Sequence, residues 1–380
     1  MKMQMPPLTP YLDNAATTAI DPEVIKAMDA FLSGNPGNAS SPHGPGIYAA
    51  KEIERAREII ARHIGADADE IFFTSGGTES NNFAIKGIAW ANKRKGNHLL
   101  ISRIEHPSVL RAAEWLHTQG FEIDFLPVDS EGFVSREDTL KLIKKGTILV
   151  SVMHANNEVG TQEPIEKIGA SCRERGIYFH TDACQSFTRL PLNVKDFNLD
   201  LVSLNAHKIH GPTGTGALYI RKGITMDPIF HGGGQENNLR AGTYNAAGIV
   251  GFAKAVEISL AEDIAKMTML RDYFIDTIRT SLGGIRLNGP ASLRLCNNIN
   301  MVFPCDGNSL FHYLNKKNIA VSAGSACHST RNTPSHVLLA LGLSPDDAKQ
   351  SLRLSLSKFT TKEEIDYTIA AIRNFIAHEC

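Results

Sequence analysis

The sequence predicts an α/β chain, with a large domain on a mostly parallel sheet covered by helices and a smaller α+β C-terminal domain. Three observations carry this expectation. Between residues 71 and 221 short apolar runs alternate with stretches of helical periodicity, the pattern of repeated β-α units. Polar clusters sit at the C-terminal ends of those runs, where open α/β sheets hold ligands. The last third changes character, with Asn298–Phe303, Ile319–Ser322 and Ser351–Ser357 reading as strands separated by helices. The expected divisions are an N-terminal arm (1–20) packed with the small domain, the large domain (21–255) and the small domain (256–380).

Composition sets the outer limits. At 380 residues, 42% hydrophobic and 21% charged, the chain is long enough to bury such cores. A formal net charge of -1 gives no reason to expect nucleic acid or an anionic membrane as a partner. No apolar run approaches membrane-span length, and MKMQMPPLTP lacks the apolar core of a signal peptide. Six cysteines without C-x-x-C spacing suggest neither a zinc site nor a disulfide framework, and a reducing cytoplasm suits them.

Along the chain, YLDNAATT at 11–18 reads as an extended arm on the domain surface. Pro22–Leu32 has helical periodicity behind an Asp-Pro start. The loop SGNPGNASSPHGPG is too rich in Gly, Pro, Asn and Ser for regular structure, and a surface helix follows over Ile47–Ile64. In IFFTSGGTESNN an apolar strand meets Ser75-Gly76-Gly77-Thr78 and a helix opens at Glu79; this is either a phosphate cradle or a plain N-cap. His98–Ile104 is a strand ending near His106, either a ring-stacking group or a turn residue. Phe121–Val128 and Thr147–Val152 are further strands, with a helix over Arg136–Lys145 between them; the second strand leads to Asn156-Asn157. After GPTGTG the chain re-enters the sheet as an edge strand, and HGGGQENNLRAGT at 231–243 suits phosphate or a flexible connection. Glu257–Leu282 reads as one long helical stretch.

Two strand ends carry the chemistry. One delivers His180, Asp182 and Gln185; the next delivers Asn205, His207 and Lys208 into a glycine-rich turn. A carboxylate and a lysine so placed suit pyridoxal 5'-phosphate (PLP): the amine holds the aldehyde and the carboxylate keeps the pyridine nitrogen protonated. Cys327 lies among small residues in SAGSACHST, outside any apolar pattern, which fits an exposed nucleophile. Arg353 alternates with apolar neighbours in SLRLSLS and suits either a substrate carboxylate or a structural ion pair.

Taken together, YLDNAATT, FTSGGTESNN, EHPSVL, HANNEVG, HTDACQS, AHKIHGPTGTGALY, GGGQENNLRAGT, SAGSAC and SLRLSLSKFTTKEEIDYTI resemble the cysteine desulfurases of the NifS/IscS type. These are class V, fold-type I PLP enzymes. The resemblance implies a homodimer that converts L-cysteine to L-alanine and leaves a persulfide on Cys327. It places PLP on Lys208, with Asp182 at the pyridine nitrogen, Gln185 at the ring oxygen and His106 stacked on the ring. Gly77, Thr78, Asn205 and His207 would line the phosphate cup, joined by Thr243 from the neighbouring subunit. Asn157, Arg353 and Asn38 would hold the substrate carboxylate. The sulfur acceptor would be an iron–sulfur scaffold or a tRNA or cofactor thiolation enzyme. Four positions depart from the usual pattern: Asn205 replaces a Ser or Thr, Ala206 a Gly, Cys184 a smaller or hydroxyl residue and Ala39 a Pro. A selenocysteine lyase, another class V PLP enzyme or a weakly catalytic sulfur-transfer scaffold are the competing readings. The presence of both Lys208 and Cys327 favours the desulfurase.

Overall fold

A computed structural model of the protein describes residues 9–34, 37–323 and 333–379; Cys327 lies outside the described residues. Two helices, α1 (Pro22–Asp29) and α2 (Gly44–His63), precede the main sheet. α2 starts inside the loop expected to be irregular. Gly44 and Pro45 take its first positions, where a missing N–H costs nothing, and the His43 ring caps Gly46 N at 3.3 Å.

The main sheet has seven strands: β1 (Ile71–Thr74), β2 (His98–Ser102), β3 (Glu122–Leu126), β4 (Thr147–Ser151), β5 (Tyr178–Asp182), β6 (Leu201–Asn205) and β7 (Gly216–Ile220). Their spatial order is β1-β7-β6-β5-β4-β2-β3. The stretch from β3 to β6 is parallel, whereas β7 runs antiparallel to both β6 and β1. The expected edge strand is therefore interior. β1 takes the edge instead, pairing antiparallel with the free side of β7.

Helices cover both faces. α3 (Gly77–Ala91) and α4 (Pro107–Thr118) pack on Leu99, Ile101, Leu149 and Leu201. On the other face α2 and α6 (Ile165–Glu174), which follows the short α5 (Arg136–Leu142), pack with α7 (Ala246–Glu257) on Leu100, Val150, Phe179 and Val202. Neighbouring residues of one strand thus serve opposite cores, which is why these strands read as continuous apolar runs. The helical stretch expected over Glu257–Leu282 is broken. α7 ends at Glu257, Leu260 is extended, and α8 begins afresh over Ala261–Ser281.

A second, antiparallel sheet holds β8 (Arg286–Leu287), β9 (Asn298–Val302), β10 (Ser322–Ala323) and β11 (Ser351–Ser355) in the order β10-β11-β9-β8. Its core is shared with α8, α9 (Gly307–Lys316) and α12 (Lys362–Glu379), while α10 (His336–Ala340) packs with α11 (Pro345–Lys349) on Ile104 and Met153. Among the described residues no helix is long and apolar enough to cross a membrane, and no cluster of His, Cys, Asp or Glu could hold a metal.

The N-terminal arm threads between the two sheets. Leu12 N donates to Ala320 O at 2.8 Å, Ser355 N to Leu12 O at 2.7 Å and Thr18 N to His207 O at 3.0 Å. Leu12 itself is fully buried in the second core. Burying a leucine side chain contributes roughly 1.5–3 kcal/mol, so the arm is held by packing as well as by backbone pairing.

Candidate active site

A cavity of about 470 Å³ opens at the carboxyl ends of β1, β5 and β6. It brings together Gly77, Thr78, His106, Asn157, Asp182, Gln185, Asn205, His207, Lys208 and Arg353. Each comes from a strand end or the loop after one, save Gly77 and Thr78 on α3 and Arg353 inside β11.

Lys208 is reached three residues beyond the end of β6. Its Nζ donates to Ala16 O at 2.6 Å and also to Ala15 O. Ala15 O accepts Gln185 Nε2 as well, at 3.0 Å. Burial, with Arg353 adding to it, pulls the amine down to about 8. A neutral amine is the form that attacks an aldehyde. The rate of PLP loading onto the apoprotein is therefore expected to rise about tenfold per pH unit below that value and to level off above it. The growth of the visible absorption band after mixing measures this, and a flat profile from pH 6 to 9 would contradict it.

Asp182 is the last residue of β5 and is buried. Its Oδ2 accepts Asn81 Nδ2 at 2.7 Å and its Oδ1 accepts Cys184 N at 2.9 Å. Asn81 Nδ2 also donates to Ser108 Oγ at 2.8 Å, and that hydroxyl lies 2.7 Å from His106 Nδ1. Ser108 N donates to the same Nδ1 at 3.1 Å, so Nδ1 is the unprotonated nitrogen and Nε2 carries the ring proton. Burial pushes His106 below its ordinary value against the pull of Asp182, which keeps the ring neutral. Glu105 beside it is wholly buried and accepts Met153 N at 2.6 Å. Burial, with the Asp182 charge adding to it, pushes its carboxyl well up, so it stays protonated. His180 lies deeper, bridging Ser151 Oγ at 2.8 Å and Ser203 Oγ at 3.0 Å; burial lowers it to about 4, and it ties β4 to β6 rather than facing the cavity.

The N-terminus of α3 closes one end. Gly76 caps it at φ 146, a conformation that favours glycine, and the first N–H groups of the helix are free to face an anion. Glu79 does not compete for that place. Although burial works against it, Arg240 Nε at 2.8 Å and Ser75 N at 2.8 Å hold its carboxyl below the usual range. Asn205 Oδ1 is buried there without a partner, a polar atom that a bound group would satisfy. His207 accepts or donates at Thr17 Oγ1, 3.2 Å away, and is lowered to about 4 by burial and by Lys208, so it is no cation for a phosphate. A Cβ on Gly77 would lie 2.5 Å from Cys184 Sγ. The Gly77→Ala variant is expected to bind PLP about tenfold more weakly, and Cys184→Ala in the same chain to restore most of the loss. Equilibrium dialysis measures both, and unchanged affinity in Gly77→Ala would remove the cradle from the argument.

These features fit PLP: a buried carboxylate, an amine that burial has pulled down to about 8, a neutral imidazole and a helix N-terminus face one cavity of suitable size.

Arg353 points from β11 into the cavity and is 2% exposed. Its NH1 donates to Asn157 O at 3.1 Å and its NH2 to Asp13 Oδ1 at 2.9 Å. The stretch carrying Cys327 is flanked by described residues at the same rim. Ser322 pairs with Arg353 in register, and Ser335 Oγ donates to Glu158 Oε2 at 2.5 Å.

Asn38 is not brought to this cavity, and Thr243, expected to serve the cavity of a neighbouring subunit, lies away from it. Asn38 is exposed, and its Oδ1 caps Ser40 N at 3.0 Å in the loop before α2. Thr243 is also exposed, in the loop after β7. That loop is pinned by Glu236, which pairs with Arg57 at 2.7 Å and accepts Phe73 N at 2.6 Å. Glu236, Asn237 and Asn238 all have φ between 46 and 65, so three non-glycine residues in a row are held left-handed.

Several contributors had no distinct mark in the sequence. Ala15 and Ala16 act through backbone carbonyls, which no side chain betrays. Asn81 stands four residues after Gly77, on the same helix face; that spacing was the available signal.

The aminotransferase class-V family model matches residues 10–368. A cysteine desulfurase IscS of Dictyoglomus turgidum is 50% identical over 370 residues, covering 96% of this chain and 94% of that one. The corresponding protein of Methanosarcina thermophila is 46% identical over 370 residues, covering 96% and 91%. Among solved structures, a NifS-like protein superposes with a TM-score of 0.91 at 37% identity, covering 97% of this chain and 100% of its own. SspA in complex with cysteine superposes with a TM-score of 0.85 at 38% identity, covering 93% and 100%. The chain belongs to the class-V aminotransferase family, among its cysteine desulfurases of the NifS/IscS type.

Proposed function

We propose that the protein takes sulfur from L-cysteine, releases L-alanine, and carries the sulfur as a persulfide on Cys327. The observation that carries this reading is the single cavity in which Lys208, its amine pulled down to about 8, the buried Asp182 and the N-terminus of α3 converge. PLP, when bound, supplies an electron sink for bonds at the substrate's α- and β-carbons. Lys208 holds the cofactor. Asp182 keeps a proton on its pyridine nitrogen, steadied by Asn81 and Cys184 N. Gln185 faces the ring oxygen. Neutral His106 lies against the ring and moves a proton through Nε2. Gly77, Thr78, Asn205 and His207 form the phosphate end, joined by Thr243 of a second copy in a homodimer. Arg353 and Asn157 hold the α-carboxylate. The Cys327 thiolate attacks the substrate sulfur: the new S–S bond forms, the Cβ–S bond breaks, and its electron pair remains with carbon, which takes up a proton on the way to alanine.

The large domain (21–255) supplies the cofactor site and the small domain (256–380) the Cys327 stretch and Arg353. The sulfur then passes to an iron–sulfur scaffold or a thiolation enzyme in the cytoplasm, a reading supported by the IscS relatives. The test is purified protein given L-cysteine with a reductant, with alanine and sulfide assayed together. Equal amounts of both support the reading; a PLP band without alanine would overturn it.

A further inference from the structure

Arg353 is a nearly fully buried cation on the cavity wall, and in the structure its charge is already matched. Asp13 Oδ1 lies 2.9 Å from NH2, while Nε is buried without a partner. Asp13 belongs to the N-terminal arm, in an isolated bridge with Ser355, so its position is set by the backbone and not by the ion pair alone. Its side chain is 20% exposed, so this carboxylate is only partly stripped of water.

We infer that Asp13 sets how tightly the site grips an α-carboxylate, by occupying one side of Arg353 that an incoming carboxylate would otherwise have to itself. This rests on the reading of Arg353 as the carboxylate anchor. A substrate carboxylate that reaches this guanidinium meets a charge already shared with Asp13 at NH2 and with Asn157 O at NH1, with a second anion beside it. Binding is weaker than an unshared arginine would give. The same restraint acts on alanine, which carries the same carboxylate and has to leave before the next turnover. Asp13 thus lowers affinity for substrate and product alike, and holds the guanidinium plane steady while the site is empty.

The test compares S-methyl-L-cysteine with 2-(methylthio)ethylamine, the same amine lacking the carboxylate, titrated against the absorption band of the PLP-loaded protein. In Asp13→Asn the dissociation constant for S-methyl-L-cysteine is expected to fall about tenfold, with that of the amine unchanged. KM for L-cysteine falls with it, and kcat does not rise. Equal constants in Asp13→Asn and the parent, or weaker binding of the carboxylate compound alone, would overturn the inference. If Asp13→Asn fails to fold or load, Asp13→Ser carries the same comparison. Arg353→Ala serves as the separate arm: loss of the preference for the carboxylate compound supports Arg353 as anchor, whereas equal weakening of both compounds would overturn that underlying reading.

Discussion

Replacing Lys208 by alanine is expected to remove covalent PLP attachment and lower alanine formation at least about a thousandfold. Among the described residues lining the cavity, the cationic side chains are Lys208 and Arg353, and Arg353 is engaged by Asp13 and Asn157. No other amine there can take the aldehyde. Burial has already brought the Lys208 amine down to about 8, so the reactive form is present near neutral pH without a separate base. The fold should survive the change, because the β6 backbone and the Thr18–His207 pairing do not depend on the side chain. Borohydride reduction followed by peptide mass spectrometry reads the outcome. Parent protein gains the cofactor's mass on the peptide containing residue 208, and the variant gains none. A reduced adduct on that variant with unimpaired turnover would sink the assignment.

Cys327→Ala should leave the absorption band and L-cysteine binding intact while cutting alanine and sulfide production at least about a hundredfold. The reasoning is chemical. Sulfur is a soft electrophile, and a thiolate is the protein nucleophile suited to it. Cys172 and Cys184 are poor substitutes: burial pushes the Cys172 thiol up to about 12 and the Cys184 thiol well up, even though Cys184 lines the cavity. Single-turnover measurement of alanine, with the band monitored in parallel, separates a lost sulfur acceptor from a lost cofactor. Full turnover in Cys327→Ala would move the nucleophile elsewhere.

Much of the site was legible because its polar groups cluster at strand ends. Asp182, Asn205 and Lys208 each follow a buried apolar run, and the parallel order of β4, β5 and β6 carries them to one edge. The interior place of β7 was not legible. A strand's own residues do not name its neighbours, and Gly216–Ile220 is buried as any central or covered edge strand would be. The arm's part in the site was not legible for a related reason. YLDNAATT reads as a surface extension, yet Asp13, Ala15, Ala16 and Thr17 reach Arg353, Lys208, Gln185 and His207. Each of those contacts uses a backbone atom or crosses more than 180 positions, and sequence periodicity senses neither. Asn38 was expected from the resemblance and does not reach the cavity, whereas Thr243 was expected to serve a neighbouring subunit's cavity and not that of its own chain.

The arm also fixes when the site can exist. Ala15 N donates to Ser355 Oγ at 2.7 Å across 340 positions of chain. During synthesis the arm leaves the ribosome 340 positions ahead of its partner in β11, so it must wait for residues made much later. Until β11 arrives, the carbonyls of Ala15 and Ala16 have no fixed place opposite Lys208, and Arg353 has not been made. Acquisition of cofactor colour therefore marks a polypeptide made at least through β11: a nascent chain stalled before residue 351 would carry the Lys208 strand but not the assembled pocket.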